Sequence, residues 1–389
     1  MTIQQNTDRI QTTHIGSLPR PRVLLHAMKA KYSGNSYDEA AYQQALRKAV
    51  TQVVRKQADC GIDIVTDGEF SKPGFFTYVR ERLEGFEVRP NVKMKLFEQE
   101  VAAFPEYYEQ YFKQAMMGGA VVPLAPVVCV GPVKYRGEKF VQTDIDNVKA
   151  AARAANIPDE HVFLPATAPS GVGINEYYKS DEDYFNALAA EVSKEYRAIA
   201  DAGILVQIDD PFLPDIFFEV GLDDRQKQRR AQIYVDSINT ALKGIPTERI
   251  RFHTCYGINE GPRIYEAALK DVIGYMLQIN AGSYSFEAAN PRHEHEYHLF
   301  EHVKVPEGKV LVPGVVTHAS NIVEHPELIA ERIVRFAKLV GRENVIAGAD
   351  CGFSSQALYN TEVHPTVIWE KFKAMREGAA LATRQLWAK

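Results

Sequence analysis

The chain has 389 residues, 46% hydrophobic and 24% charged, proportions of an ordinary globular protein that exclude disorder, collagen and coiled coil. Lysine and arginine number 45 against 50 aspartate and glutamate, a net charge of −5, which leaves no basic surplus for a nucleic-acid partner. No apolar run reaches the roughly 18 residues of a membrane span, and the opening MTIQQNTDRIQ has no signal-peptide core, so the expected location is the cytoplasm.

In chain order, short apolar runs alternate with helical patterns. TTHIGSLP at 12–19 reads as a first strand end, and 38–59, entered at Asp38, has apolar positions at helical spacing. IDIVTDGEF (62–70) follows as a strand ending in Asp67 and Glu69. Residues 85–117 read as loop and helix, and GGAVVPLAPVVCVGPVKYRGEKF (118–140), rich in Val, Pro and Gly, as an antiparallel hairpin. VFLPATAPSG (162–171) is the next strand. Helices at 181–202, 223–243, near 262–279 and at 325–340 then precede ILVQIDDP, RIRFHTCYG, GSYSFEAAN and NVIAGADCGF. VLVPGVVTHAS (310–320) follows a segment rich in His and Glu.

Strands separated by helices imply parallel units, and eight of them predict a closed (β/α)8 TIM barrel, an α/β fold. The whole chain, 1–389, is read as one barrel domain with an insertion at about 85–140 that places a β-hairpin on the catalytic face. A dinucleotide-binding fold is disfavoured, because Gly171-Val172-Gly173 lacks the third glycine.

The polar residues of interest fall at strand ends: Ser17, Glu69, Asp209, Asp210, His253, Cys255, Glu287, His318, Asp350 and Cys351. In a barrel these ends converge on one face. Helix capping explains a lone Asp or Ser there, but has no use for Cys, His and Glu. His253 and Cys255, two apart on a strand, point to the same side, and Glu287 and Cys351 end later strands. Two thiolates, an imidazole and a carboxylate suit Zn2+. The four cysteines, Cys60, Cys129, Cys255 and Cys351, are expected as free thiols or metal ligands; small buried hydrophobes are the plainer reading of two of them, Cys255 and Cys351. His295, His298 and His302 would share a face of a charged helix, a rival for metal that reads better as solvated, and Arg292 is the member of that run nearest Glu287.

The phrases TTHIGSLPR, DIVTDGEF, QIDDP, HTCYG, SFEAANPR, PGVVTHAS and ADCGF resemble the catalytic barrel of cobalamin-independent methionine synthases over residues 12–385. The likeness is to the short, single-barrel branch, which includes zinc-dependent epoxyalkane:coenzyme M transferases. The resemblance implies zinc held by His253, Cys255, Glu287 and Cys351. It implies a small thiol acceptor, homocysteine, held by Ile15, Gly16, Ser17, Glu69 and Asp209, and a proton donor at His318, which Asp209 or Asp210 would orient. The implied activity is methyl transfer to homocysteine of the 5-methyltetrahydropteroyltriglutamate type, giving methionine; the alternative is addition of coenzyme M to an epoxide. The folate contacts are thinner. The tryptophans, Trp369 and Trp387, fall in the C-terminal helix, Val128-Cys129 lacks the family's arginine, and Asp215 alone matches an acidic folate contact.

Overall fold

A computed structural model of the chain describes residues 5–34, 36–89, 97–116, 119–122, 124–257 and 261–388. Its strands are β1 (Leu83–Val88), β2 (Val127–Tyr135), β3 (Phe163–Thr167), β4 (Ile174–Asn175) and β5 (Leu205–Asp209). They continue as β6 (Ile250–His253), β7 (Ser283–Phe286), β8 (Val310–Val316) and β9 (Gly348–Ala349). The main sheet runs β3-β5-β6-β7-β8-β9 with every neighbouring pair parallel. Single parallel bridges carry the ladder onward, from Ala347 to Thr12, from Thr13 to Ile64 and from Val65 to Val162. Residues 12–13 and 64–65 thus fill the gap between β9 and β3 and close the (β/α)8 ring that the alternation predicts.

The helices form where periodicity and caps coincide. Glu39–Asp59 starts at Asp38, whose carboxylate accepts from the Ala41 N–H, and buries Tyr42, Leu46, Ala49, Val50 and Val53 on one stripe. Asp224–Ala241 opens with a reciprocal cap between Asp223 and Gln226. Two predicted helices change. The one expected near 262–279 is confined to Leu269–Met276, because Arg263 ties the preceding turn to the Tyr256 carbonyl and the Glu296 carboxylate accepts from Leu269 N–H at 2.7 Å. The His-rich run forms a 3-10 stretch, Glu294–Glu301, with three residues per turn. A seven-residue step there falls on a different face, so His302 does not align with His295, and His298 is engaged with Glu301 at 2.6 Å on the surface.

The hairpin expected at 118–140 is also corrected. Residues 127–135 form the single strand β2, and a helix begins at Glu138. The antiparallel partner is β1, which begins at Leu83 and runs into the stretch read as loop and helix. Gly131-Pro132 resembles a turn but stays extended, because the ladder slips opposite it at Gly85. Gly85 takes φ +93°, and a Cβ there would fall 2.5 Å from the Pro132 carbonyl oxygen, so only glycine fits the bulge. β4 pairs parallel with the other edge of β2, making a three-stranded outer sheet. Positions 90–96, 117–118 and 123 of this excursion lie outside the described residues.

Along the barrel strands every second side chain points inward. At the strand starts Ile64, Phe163, Leu205, Val310, Val312 and Ile346 form an apolar plug. Two residues on come Gln207 and Arg251, and two beyond them Asp209 and His253 at the strand ends. Apolar floor and polar rim follow from the same alternation. Among the described residues no helix is long and apolar enough to cross a membrane.

Candidate metal centre

His253 ends β6 facing inward, in register with Asp209 of β5 and Ser285 of β7. Thr254 then fixes the exit from the strand: its N–H donates to the Ser285 carbonyl at 3.1 Å and its hydroxyl to the Asp210 carbonyl at 2.7 Å. That turn brings Cys255 back into the pocket. Cys351 arrives one residue beyond Asp350, just past β9. The ligand atoms of His253, Cys255 and Cys351 lie within 4.8 Å of one another, all buried. Three of the four side chains expected to share a metal therefore meet directly.

The fourth stands beside them. Glu287 groups with His318 and Asp350, their ligand atoms again within 4.8 Å. Its Oε1 accepts from the N–H of Tyr256, next to Cys255, at 3.2 Å, so the two groups adjoin. Asp350 steadies Glu287 from behind: its Oδ1 accepts from the N–H groups of Ala288 and Ala289, both at 2.8 Å. Gly314 makes room for it, since a Cβ there would lie 1.9 Å from that oxygen.

The donor set fits a soft divalent cation. Both ring nitrogens of His253 are buried without a hydrogen-bond partner. An imidazole so placed forfeits the hydrogen bonds it would make in water, and a metal ion is one group that restores them. The cysteines behave as an unequal pair. A sulfur–sulfur hydrogen bond from Cys351, helped by His253 and opposed by burial, holds Cys255 well below the ordinary thiol range. The same bond and burial push Cys351 well above it. His318 is buried at 2% exposure, and burial, with the charges of His253 and Lys371, lowers it to about 3. Its ring is neutral at pH 7, with Nδ1 unpartnered.

On the far wall, Gln207 donates its amide to the Ile15 carbonyl at 2.5 Å and to Asp209 Oδ1 at 2.8 Å, so one side chain aligns both. Burial first, and then the Glu69 charge, raise Asp209 to about 7. The Ser17 carbonyl accepts from the Phe353 N–H at 3.0 Å, tying the first strand end to the Cys351 turn. A Cβ on Gly16 would lie 3.2 Å from Glu69 Oε1. Ile15, Gly16, Glu69 and Asp209 thus share one wall. Asp210 turns aside to accept from the Ser170 hydroxyl at 2.7 Å. Asp215 belongs elsewhere. It lines a cavity of about 410 Å3 with Phe97, Glu98, Phe212, Phe218 and Tyr234, where burial raises it to about 7. The Cys255 charge adds to that shift.

Residues 10–136 and 147–374 match the family described as cobalamin-independent synthase, catalytic domain. The chain belongs to that family. Among similar proteins of this family, a methionine synthase from Thermococcus kodakarensis is 25% identical over 381 residues, covering 97% of this chain and 94% of the relative. One from Saccharolobus solfataricus is 23% identical over 382 residues, with 97% and 96% covered. A B12-independent methionine synthase from Shewanella sp. W3-18-1, solved in complex with selenomethionine, shares the fold at a TM-score of 0.72 and 20% identity, covering 98% of this chain and 100% of that one.

Within this family fold the tryptophans sit outside the barrel, Trp369 under Lys56 at 4.4 Å and Trp387 under Arg342 at 4.7 Å. Cys129 is fully buried in β2. Arg292 is held by Glu266 and does not reach Glu287, while Arg20 donates to the carbonyls of Glu69 at 2.8 Å and Ser354 at 3.0 Å. Sequence reasoning passed over Lys72 and left Asp350 without a role. The signals were there: Lys72 stands three residues after Glu69, and Asp350 directly before Cys351.

Proposed function

We propose that this chain methylates the thiol of homocysteine to give methionine, using zinc held by His253, Cys255, Cys351 and Glu287. The observation that carries the reading is the buried His253–Cys255–Cys351 group, its imidazole unpartnered, inside the catalytic barrel of a cobalamin-independent synthase family member. Zinc at such a site deprotonates a thiol and keeps its sulfur nucleophilic. Two thiolates and a carboxylate would bring more negative charge than the dication carries, which would favour a reactive sulfur, with Glu287 as the fourth ligand.

The protein's own groups do the rest. Ile15, Gly16, Ser17, Glu69 and Asp209 hold the acceptor so that its sulfur points toward the cysteines. His318 faces the leaving side. Its neutral ring can take a proton at one nitrogen and give one at the other, and it acts as the proton donor once the methyl donor is bound. The cavity around Asp215 takes the methyl donor, with Asp215 accepting from its polar edge. The whole chain works as one barrel domain with the excursion between β1 and β2 roofing that cavity. A coenzyme M acceptor is less well served, because it has no ammonium for the Glu69 and Asp209 carboxylates to hold, and Arg20 and Arg292 are already engaged.

The test is methionine formation by the zinc-loaded enzyme from homocysteine with methyltetrahydrofolate as mono- or triglutamate. X-ray absorption should show sulfur ligands rising from two to three when homocysteine is added. A zinc-free protein with full turnover, or an unchanged sulfur count, overturns the reading.

A further inference from the structure

Glu69 is held in an unusual way. It is a non-glycine residue with φ +60°, a left-handed conformation that costs about 1–3 kcal/mol and persists only where its surroundings impose it. Asp67 Oδ1 accepts its N–H at 2.9 Å, and Arg20 grips its carbonyl at 2.8 Å. All this presents a carboxylate whose Oε2 is buried and unpartnered. Lys72 lies beside it. The lysine is 3% exposed, and its Nζ is 3.9 Å from that Oε2, too far for a hydrogen bond. One of its three donors goes to the Pro165 carbonyl at 2.5 Å, and the Tyr78 ring is 4.4 Å away. Donor capacity therefore remains on the side of Glu69, where Gly16 and Pro165 also converge: a Cβ on Gly16 would lie 2.6 Å from Pro165 Cγ.

A buried ammonium and a buried carboxylate held apart, each with capacity to spare, form a receptor for a group carrying both charges. We propose that Lys72 is a specificity-determining residue of the acceptor subsite, taking the carboxylate of a zwitterionic thiol whose ammonium is held by Glu69 and Asp209. This rests on the reading of the chain as a thiol methyltransferase and deepens it. It also supplies a cation with donors to spare, since Arg20 is committed to backbone carbonyls and Arg251 to the Thr13 hydroxyl and the His14 carbonyl.

The experiment is calorimetric binding to zinc-loaded enzyme, which needs no methyl donor. The thiols are homocysteine, 3-aminopropane-1-thiol, which lacks the carboxylate, and 4-sulfanylbutanoate, which lacks the ammonium. Lys72→Met should weaken homocysteine and 4-sulfanylbutanoate by about 10- to 100-fold, the range for a hydrogen bond to a charged group. It should change 3-aminopropane-1-thiol by less than about threefold and leave zinc content intact. Lys72→Arg, which keeps the charge, should restore most of the homocysteine affinity and serves as the assay if Lys72→Met does not fold; a folded, zinc-replete Lys72→Arg that loses more than about tenfold in affinity for homocysteine and for 3-aminopropane-1-thiol alike overturns the assignment. An equal penalty on all three thiols, or none, also overturns it. Wild-type enzyme that binds homocysteine but forms no methionine counts against the methyltransferase reading alone; wild-type enzyme that binds none of the three thiols overturns both.

Discussion

Where β1 joins the barrel, Arg82 donates to Asp144 at 2.6 Å and pairs with Glu195 at 3.0 Å, and the hydroxyls of Tyr78 and Tyr135 donate to the two Glu195 oxygens at 3.0 and 2.9 Å. The metal centre and acceptor wall instead leave both His253 nitrogens, Nδ1 of His318, Oδ2 of Asp350 and Oε2 of Glu69 with no partner. Both regions bury charge. The first spends its hydrogen-bonding capacity within the protein and so holds the excursion in place. The second keeps that capacity for what enters. Satisfied buried charge reads as structure, and unsatisfied buried charge, in a cleft with strained backbone, reads as function.

Breaking the satisfied cluster should have the largest effect on stability. Arg82→Met leaves Asp144 and Glu195 buried without their cation and should cost about 3–5 kcal/mol, read as a lower denaturant midpoint with zinc content per folded molecule unchanged. Breaking the unsatisfied cluster should do the reverse. Cys351→Ser should cost more than about 100-fold in zinc affinity, beyond the roughly 10–100-fold typical of a group outside the ligand set, with little change in unfolding midpoint of the metal-free protein. Equal losses of stability in the two variants would erase the distinction.

Asp350→Asn sharpens it, because the amide still accepts from Ala288 and Ala289 yet changes the charge behind Glu287; about 10–100-fold in zinc affinity is expected by competition with a chelator. The last effect is read through pH, at His293, which stacks on Tyr256 with ring centroids 4.0 Å apart. Burial lowers its pKa, but hydrogen bonds to Glu266 and Glu296 outweigh burial and raise it to about 10. A histidine raised above its ordinary 6.5 stabilises the fold fully below that pH and loses the contribution as pH climbs to about 10. Stability should therefore fall by up to about 1.4 kcal/mol per pH unit across that window, and His293→Gln should flatten the slope.

Local signals made much of this legible. Asp38 marks a helix start the structure confirms, because a cap and its N–H partners lie within three residues, and Ser180 and Asp223 cap two further helices in the same way. The alternation of strand and helix specified a barrel, and His253 and Cys255 do meet as their spacing predicted, although the strand ends at His253 and the turn at Thr254 carries Cys255 there. What stayed hidden was pairing at a distance: β2 finds β1 some forty residues back, across a bulge at Gly85 that no local pattern announces.

The sequence by itself determined the barrel, its polar rim and the residue types able to hold a metal, because these depend on periodicity and on side-chain chemistry. Only the tertiary structure decided who stands beside whom. It set Glu287 beside His318 and Asp350, engaged Arg20 and Arg292 elsewhere, and left Lys72 facing Glu69. Those outcomes rest on distances between residues far apart in the chain, and such distances exist only after the ring has closed.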